Sequence, residues 1–412
     1  MKILFKKLLC NFKTIQYFFL LTITLCPSKN QSSPSSLKLI THISQATNIT
    51  FLSRFSEYKD ISAYGELPNT LNIIDLNSLN SFVNWGDPSS FKILNPKELY
   101  VAKIDDASVS PMHLGTMFDH DQQYLFDLFV NPGNPIFWPL NNSIQNKPII
   151  FHKKLATVQG PTFFYHWVID RLPSVVLLKN LLINDPEIKL LINNTGTVHA
   201  YFYEYLELLG IPKDQIITAN PNNIYHAETL YFATPFLMEP IPRKLLLKLR
   251  EDLLIASNCS TVPTSNEKSV IIIQRKESDR KIANLKDLLA LVKETFGEHV
   301  KIVIYDANMP VKDQIKLFNR ADLVIGIMAS GLTNILFVKP GTTIIEIHQT
   351  LKSLGLANGI NKHGNEWCWW LSSAVNAHYW ATTSDFKLSD SSVIAPLDQI
   401  NKILLTIKKQ WN

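Results

Sequence analysis

Ala321-Asp322-Leu323-Val324-Ile325-Gly326-Ile327-Met328-Ala329-Ser330-Gly331-Leu332-Thr333-Asn334 is the stretch that decides the fold. It reads as a strand over 323–327, a turn of small residues, and a helix start near Thr333. A continuous apolar run marks a strand buried on both faces, as a parallel sheet covered by helices requires. The alternation continues on either side. Upstream lie an expected strand over 269–274, a helix over 285–295, a strand over 300–305 and a helix over 311–319. Downstream, after a helix over 333–337, comes a strand over 343–347. Strands alternating with helices specify a parallel α/β sheet.

The same texture precedes this region. Apolar runs over 149–151, 189–192, 215–217 and 229–232 read as strands, with helices over 166–182 and 202–209 among them. Pro240 and Pro242 introduce a helix over 243–256 with leucines at helical spacing. Residues 258–267, rich in Ser, Thr, Asn and Pro, are the expected domain boundary. At 412 residues the chain exceeds one ordinary core, so two domains are expected. The plan is a leader over 1–36, an N-terminal α/β domain over 37–257, and a C-terminal domain over 258–412. The stretch from 37 to about 145 is expected to be irregular α+β, and 396–411 a helix that packs back across the domains.

Hydrophobic residues at 46% and charged residues at 18% are globular composition. The net charge of +5 owes much to Lys2, Lys6, Lys7 and Lys13, so the body is close to neutral and no nucleic-acid partner is expected. The lysine-rich start and the apolar run from Tyr17 to Cys26 have the order of a secretory signal. The run is shorter than the ~20 residues of a membrane span, so a short interfacial segment stands beside that reading. Cys10 and Cys26 fall in the leader, and Cys259 and Cys368 in the body. Without a C-x-x-C pair there is no zinc or redox motif, and the body cysteines are expected to be free, buried thiols.

Three segments carry chemistry. The turn from Met328 to Asn334 follows a buried strand and opens a helix, where small residues and free N–H groups suit an anion such as a diphosphate. In such sheets ligands bind beyond the carboxyl ends of the strands. Its bland reading is a tight strand-to-helix connection. Arg275 and Arg280, in a loop directly after the expected strand over 269–274, suit phosphate recognition, or else belong to a solvated charged loop. His166 and Asp170 stand at i and i+4 and share a helix face, so they can form an oriented imidazole or a general base, or a plain surface hydrogen bond. No third metal ligand accompanies them, and neither metal nor cofactor is expected. Trp367, Trp369 and Trp370 suit sugar stacking or a core, while His348, His363 and His378 have no interpretable spacing.

Together these segments resemble glycosyltransferase family 61, which includes plant xylan-decorating transferases and animal O-linked N-acetylglucosaminyltransferases. The likeness rests on four ordered blocks between about 148 and 348. They are His166 to Pro173; Arg275, Arg280, Ile282 and Asn284; Gln314 to Phe318; and Gly326 to Glu346. It implies a GT-B fold of two Rossmann-like domains facing across a cleft, and a nucleoside diphosphate sugar such as a UDP-sugar as donor. The acceptor it implies is a glycan or protein hydroxyl. Arg275, Arg280 and the backbone of Ser330, Gly331, Leu332, Thr333 and Asn334 would hold the diphosphate. Glu346 would contact the nucleoside or sugar, and Asp170, with His166, would activate the acceptor. The family's His-Gly pair is Met328-Ala329 here, and the residue after Asn284 is Leu285 rather than an acidic one. A thioether cannot donate to a phosphate oxygen, so a non-catalytic nucleotide- or glycan-binding descendant is the competing expectation. Donor supply implies a cytoplasmic body whose leader touches the membrane, or in a eukaryote the secretory lumen.

Overall fold

The computed structural model describes residues 39–40, 49–55, 72–73, 98–111, 116–119, 124–125, 147–158, 163–192, 199–236, 241–259, 267–275, 281–349, 367–384, 386–387 and 392–411. By its contacts the chain divides into Met1–Lys38 and Leu39–Asn412. The leader lies outside the described residues, among which no helix is long and apolar enough to cross a membrane.

The first sheet comprises β1 (Ile49–Phe55), β2 (Leu99–Ser110), β3 (Thr116–Asp119), β4 (Ile149–Val158), β5 (Lys189–Ile192), β6 (Ile216–Thr218) and β7 (Ile224–Ala233). The short strands Leu39–Ile40 and Tyr124–Leu125 complete one edge. β2 is antiparallel to β7, after which β7, β4, β5 and β6 follow in parallel. The four parallel strands are those the apolar runs predict. β4 runs further than expected because it continues through His152, Lys153 and Lys154, whose polarity hides its length. Helices α1 (Leu172–Asn184) and α2 (Ala200–Leu208) make the crossovers, and α3 (Arg243–Ala256) leads onward.

The second sheet is built from β8 (Lys268–Ile273), β9 (Val300–Tyr305), β10 (Leu323–Ile327), β11 (Thr343–Gln349) and β12 (His378–Ser384). These strands lie in the order β9-β8-β10-β11-β12, all parallel, with Asn72–Ile73 at the far edge. Alternate residues pack on opposite faces, which is why the strands read as unbroken β-branched runs. Val270, Ile272, Leu323, Ile325 and Ile345 pack with Leu288 and Val292 of α4 (Leu285–Phe296). Ile271, Ile273, Val324 and Ile344 pack on the other side with α5 (Val311–Asn319), the 3₁₀ segment Ser330–Phe337 and α6 (Trp367–Ala374). The final helix, α7 (Leu397–Trp411), buries Ile400, Ile403, Leu404 and Ile407 in the α4 cluster. The expectation that it packs back across the domains is therefore corrected: its apolar stripe matches the open face of its own sheet.

Helix α3 joins the two halves. Its Leu245, Leu246, Leu249 and Leu253 belong to one cluster with Leu172, Phe202, Phe318, Leu332 and Leu371. Arg250 donates from Nε to the Leu336 carbonyl at 2.9 Å and from Nη2 to that of Val338 at 2.8 Å. These carbonyls close the Ser330–Phe337 segment, where helix ends leave acceptors without partners. Glu204 on α2 accepts the Val311 N–H at 2.6 Å and caps α5 from the other half. Residues 260–266, most of the expected boundary, lie outside the described residues.

Asp322 fastens the opposite edge of the second sheet. It accepts from the Ser269 N–H at 2.9 Å and pairs with Lys339 Nζ at 2.9 Å, while itself buried. Asp322→Ala should lower the unfolding free energy by about 1.5–3 kcal/mol, the worth of a hydrogen bond to a charged group. The readout is a lowered urea midpoint at unchanged slope, and an unchanged midpoint would contradict it.

Candidate functional site

The strand order of the second half, with β8 central and successors laid on either side, creates a topological switch point between β8 and β10. In α/β sheets ligands bind beyond the carboxyl ends of such a pair, and two of the segments singled out in the sequence follow those ends. Arg275 follows the end of β8 and is half-buried. Met328 and Ala329 follow β10 and lead into Ser330–Phe337. Arg280 lies outside the described residues.

The Ser330 segment is a 3₁₀ helix that begins earlier than the predicted helix start at Thr333. Its first bond runs from the Leu332 N–H to the Ala329 carbonyl, so the N–H groups of Ser330 and Gly331 precede the ladder. Side chains fix the segment from below. Asn334 Nδ2 donates to Tyr305 Oη at 2.8 Å and Gln314 Oε1 at 3.2 Å, and Tyr305 donates to Gln314 at 2.5 Å. Thr333 and Asn334 are fully buried, while Ser330 and Gly331 are partly exposed. The glycines have a packing role. A Cβ on Gly331 would stand 3.0 Å from Ile273 Cγ2, and one on Gly326 3.1 Å from Leu332 Cδ2. Their smallness lets the segment lie close over the sheet.

Glu346 is paired with Gly326 across β10 and β11 and is fully buried. Its Oε2 accepts from Tyr379 Oη at 2.5 Å and lies 3.2 Å from His348 Nε2, which is 2.9 Å from the same phenol. The Cys368 thiol also hydrogen-bonds this carboxyl. Burial, then the nearby carboxylate, pushes the Tyr379 phenol and the Cys368 thiol well up, so both keep their protons. Among the described residues, Glu346 Oε1 has no hydrogen-bond partner. The sequence offers no sign of this cluster, because His348, Cys368 and Tyr379 are joined only by the pairing of β11 with β12 and the packing of α6.

The third segment is a π-helical turn, His166–Arg171, continuous with α1. The Leu172 N–H reaches back to the Trp167 carbonyl, and Pro173, with no N–H to donate, follows. Such wide turns recur at functional positions. His166 Nδ1 and Asp170 Oδ2 are 2.6 Å apart, and the side chains are 20% and 0% exposed respectively. Asp170 is thus sealed behind an imidazole that reaches the surface. Arg171 beside it is also fully buried. Burial pulls its guanidinium down to about 9, and attraction to Asp170 opposes that fall.

Tyr165 connects this turn with the second sheet. Its phenol is pushed well up by burial first, then by the charge of Asp170. Its ring centroid is 4.6 Å from that of Trp367. Trp367, Trp369 and Trp370 sit on α6; Trp369 and Trp370 are core residues, and Trp367 is half-buried beside Tyr165. Cys259 and Cys368 are both free, the second buried and the first half-buried. No group of three metal-ligating side chains occurs among the described residues. Of the residues predicted, the structure brings His166 to Asp170 and sets Arg275 and Ser330 beyond adjoining strands. Tyr305 and Tyr379 went unassigned because their partners Asn334 and Glu346 are distant in sequence.

No curated protein matches the chain. Residues 164–345 match the family model described as Glycosyltransferase 61, a span that takes in the His166 turn, Arg275, α5 and the Ser330 segment. The family implies glycosyltransferase activity, with a nucleotide-sugar donor and a glycan acceptor in general terms. Through these residues the chain is similar to glycosyltransferase family 61.

Proposed function

We propose that this protein moves a sugar from a nucleoside diphosphate sugar, UDP-linked in the first instance, to an acceptor hydroxyl. The observation that carries the reading is the continuity between two kinds of chemistry. Tyr165 packs with its ring centroid 5.2 Å from that of His166 and 4.6 Å from that of Trp367, so the imidazole–carboxylate pair lies beside helix α6 of the second half. The two α/β halves then act as the two sides of a GT-B enzyme, divided at residues 257 and 258. Arg275, with Arg280, meets the diphosphate, and the opening N–H groups of Ser330 and Gly331 add donors at a helix start. Leu332, Thr333 and Asn334 shape that turn from beneath, since the Asn334 side chain is committed to Tyr305 and Gln314. Glu346 positions the donor edge by holding His348 and Tyr379.

The acceptor chemistry belongs to His166. Asp170 is sealed and bonded to Nδ1, so it orients the ring and leaves Nε2 to take a proton. The arrangement follows the logic of a base held by a third group. In an inverting displacement the acceptor oxygen attacks the anomeric carbon and the sugar–diphosphate bond breaks. The diphosphate leaves with the electron pair toward Arg275, and the hydroxyl proton passes to His166 Nε2. The body works where nucleotide sugars are made or imported: the cytosol, with the leader at the membrane, or a secretory lumen. One observation favours a second reading, a binding protein without turnover: Met328 stands where the family carries a histidine.

Arg275→Ala should weaken UDP binding about tenfold or more by calorimetry, the loss of a charge-assisted contact worth about 1.5–3 kcal/mol. Equal affinity would remove Arg275 from the donor site. His166→Ala should lower turnover ~10²–10⁴-fold at unchanged UDP affinity, and Asp170→Asn should do so by a smaller factor through the misoriented ring. Full activity in His166→Ala would refute the assignment. Met328→His separates the two readings: an active enzyme should change rate by less than about tenfold, whereas turnover gained from an inert wild type would establish lost catalysis.

A further inference from the structure

Two aromatic rings flank the His166 imidazole. Phe163 opens the same helix, its carbonyl accepting the Trp167 N–H at 2.8 Å, yet its side chain is 69% exposed. Its ring centroid lies 6.5 Å from that of His166. Tyr165 packs edge-on to His166 at 5.2 Å and meets Trp367 at 4.6 Å. Trp367 comes from the start of α6, far along the chain, and keeps part of its surface open while Trp369 and Trp370 are swallowed by the core. A lone exposed phenylalanine means little. Two rings beside one imidazole, one of them packed on a tryptophan from a distant segment, are a different matter, because they keep apolar surface exposed where a substrate would dock.

Flat aromatic faces carry a negative quadrupole and offer apolar area with little loss of side-chain freedom. The matching ligand surface is flat, lined by C–H bonds and rimmed by hydroxyls, which describes one face of a pyranose ring. A serine or threonine in a peptide has no such face. We propose that Phe163, Tyr165 and Trp367 form an acceptor subsite that stacks a pyranose ring beside His166, making the acceptor a glycan rather than a protein side chain. This rests on the transferase reading above and narrows its acceptor. The stacked ring presents an edge hydroxyl to Nε2, the nitrogen that Asp170 does not hold. Trp367 thereby couples acceptor recognition to α6, whose Cys368 touches Glu346.

The test titrates the full chain with xylohexaose, cellohexaose, chitohexaose and mannohexaose, and with a serine- and threonine-rich peptide, following tryptophan fluorescence. At least one hexasaccharide should perturb the emission, and the peptide should not. Phe163→Ala and Trp367→Ala should each raise that saccharide's Kd about three- to tenfold, the range for one aromatic contact. Trp367→Phe, which keeps a ring, should restore most of the affinity. Phe163 is exposed enough that its alanine variant folds, so it carries the result if Trp367→Ala does not. UDP calorimetry on the same proteins should match wild type. Binding of none of the saccharides, wild-type affinity in Phe163→Ala, or binding of the peptide instead would overturn the subsite. A wild type that binds saccharide but not UDP would sink the transferase reading and leave the subsite standing.

Discussion

Helix α3 must bury a stripe of leucines that neither sheet alone can cover. Leu245, Leu246, Leu249 and Leu253 face α1 and α2 on one side and α5, α6 and the Ser330 segment on the other. Removing this apolar surface from water gains roughly 1.5–3 kcal/mol per side chain, so the halves are held by the helix that follows the first and precedes the second. The polar contacts follow from that placement. Arg250 can reach the carbonyls at the end of the Ser330 segment only because α3 lies under it. Glu204 can cap α5 only because α2 is brought alongside. The Ser330 turn of the second half is therefore anchored from the first half.

Burial also explains the division of labour at the His166 turn. A carboxylate out of water needs donors and positive charge around it. Asp170 has the His166 ring and the neighbouring guanidinium of Arg171, which itself would be too costly to bury without that carboxylate. The pair is rigid because each member answers the desolvation of the other. A similar economy governs Glu346, which is surrounded by a phenol, a thiol and an imidazole rather than by lysine or arginine.

The sequence was most legible where one physical cause dominates. Strands β8 and β10 carry apolar runs buried on both faces, so they announce themselves in the sequence. Helices α3 and α5 begin after proline and carry regular apolar stripes, and their limits agree with expectation. Legibility failed where local pattern and tertiary pairing part company. β4 passes through His152, Lys153 and Lys154, which a window of hydrophobicity counts as loop. The tryptophans on α6 look alike in sequence, yet their rotation about one helix axis sends Trp369 and Trp370 inward and leaves Trp367 at the His166 turn. His348 had no meaningful spacing because its partners come from neighbouring positions on β11 and β12.

By itself, the sequence determined the α/β class, the parallel character of the second sheet, and the four blocks that resemble family 61. Periodicity and buried runs are local properties, and a motif needs only order along the chain. It also determined that His166 and Asp170 could meet, since a helix brings such neighbours together. Only the tertiary structure decided which member of that pair is sealed and which faces outward. It alone set β8 beside β10, and so put Arg275 and Ser330 after the ends of adjoining strands. Side-chain exposure and strand neighbours depend on contacts between segments far apart in the chain, and no local pattern encodes them.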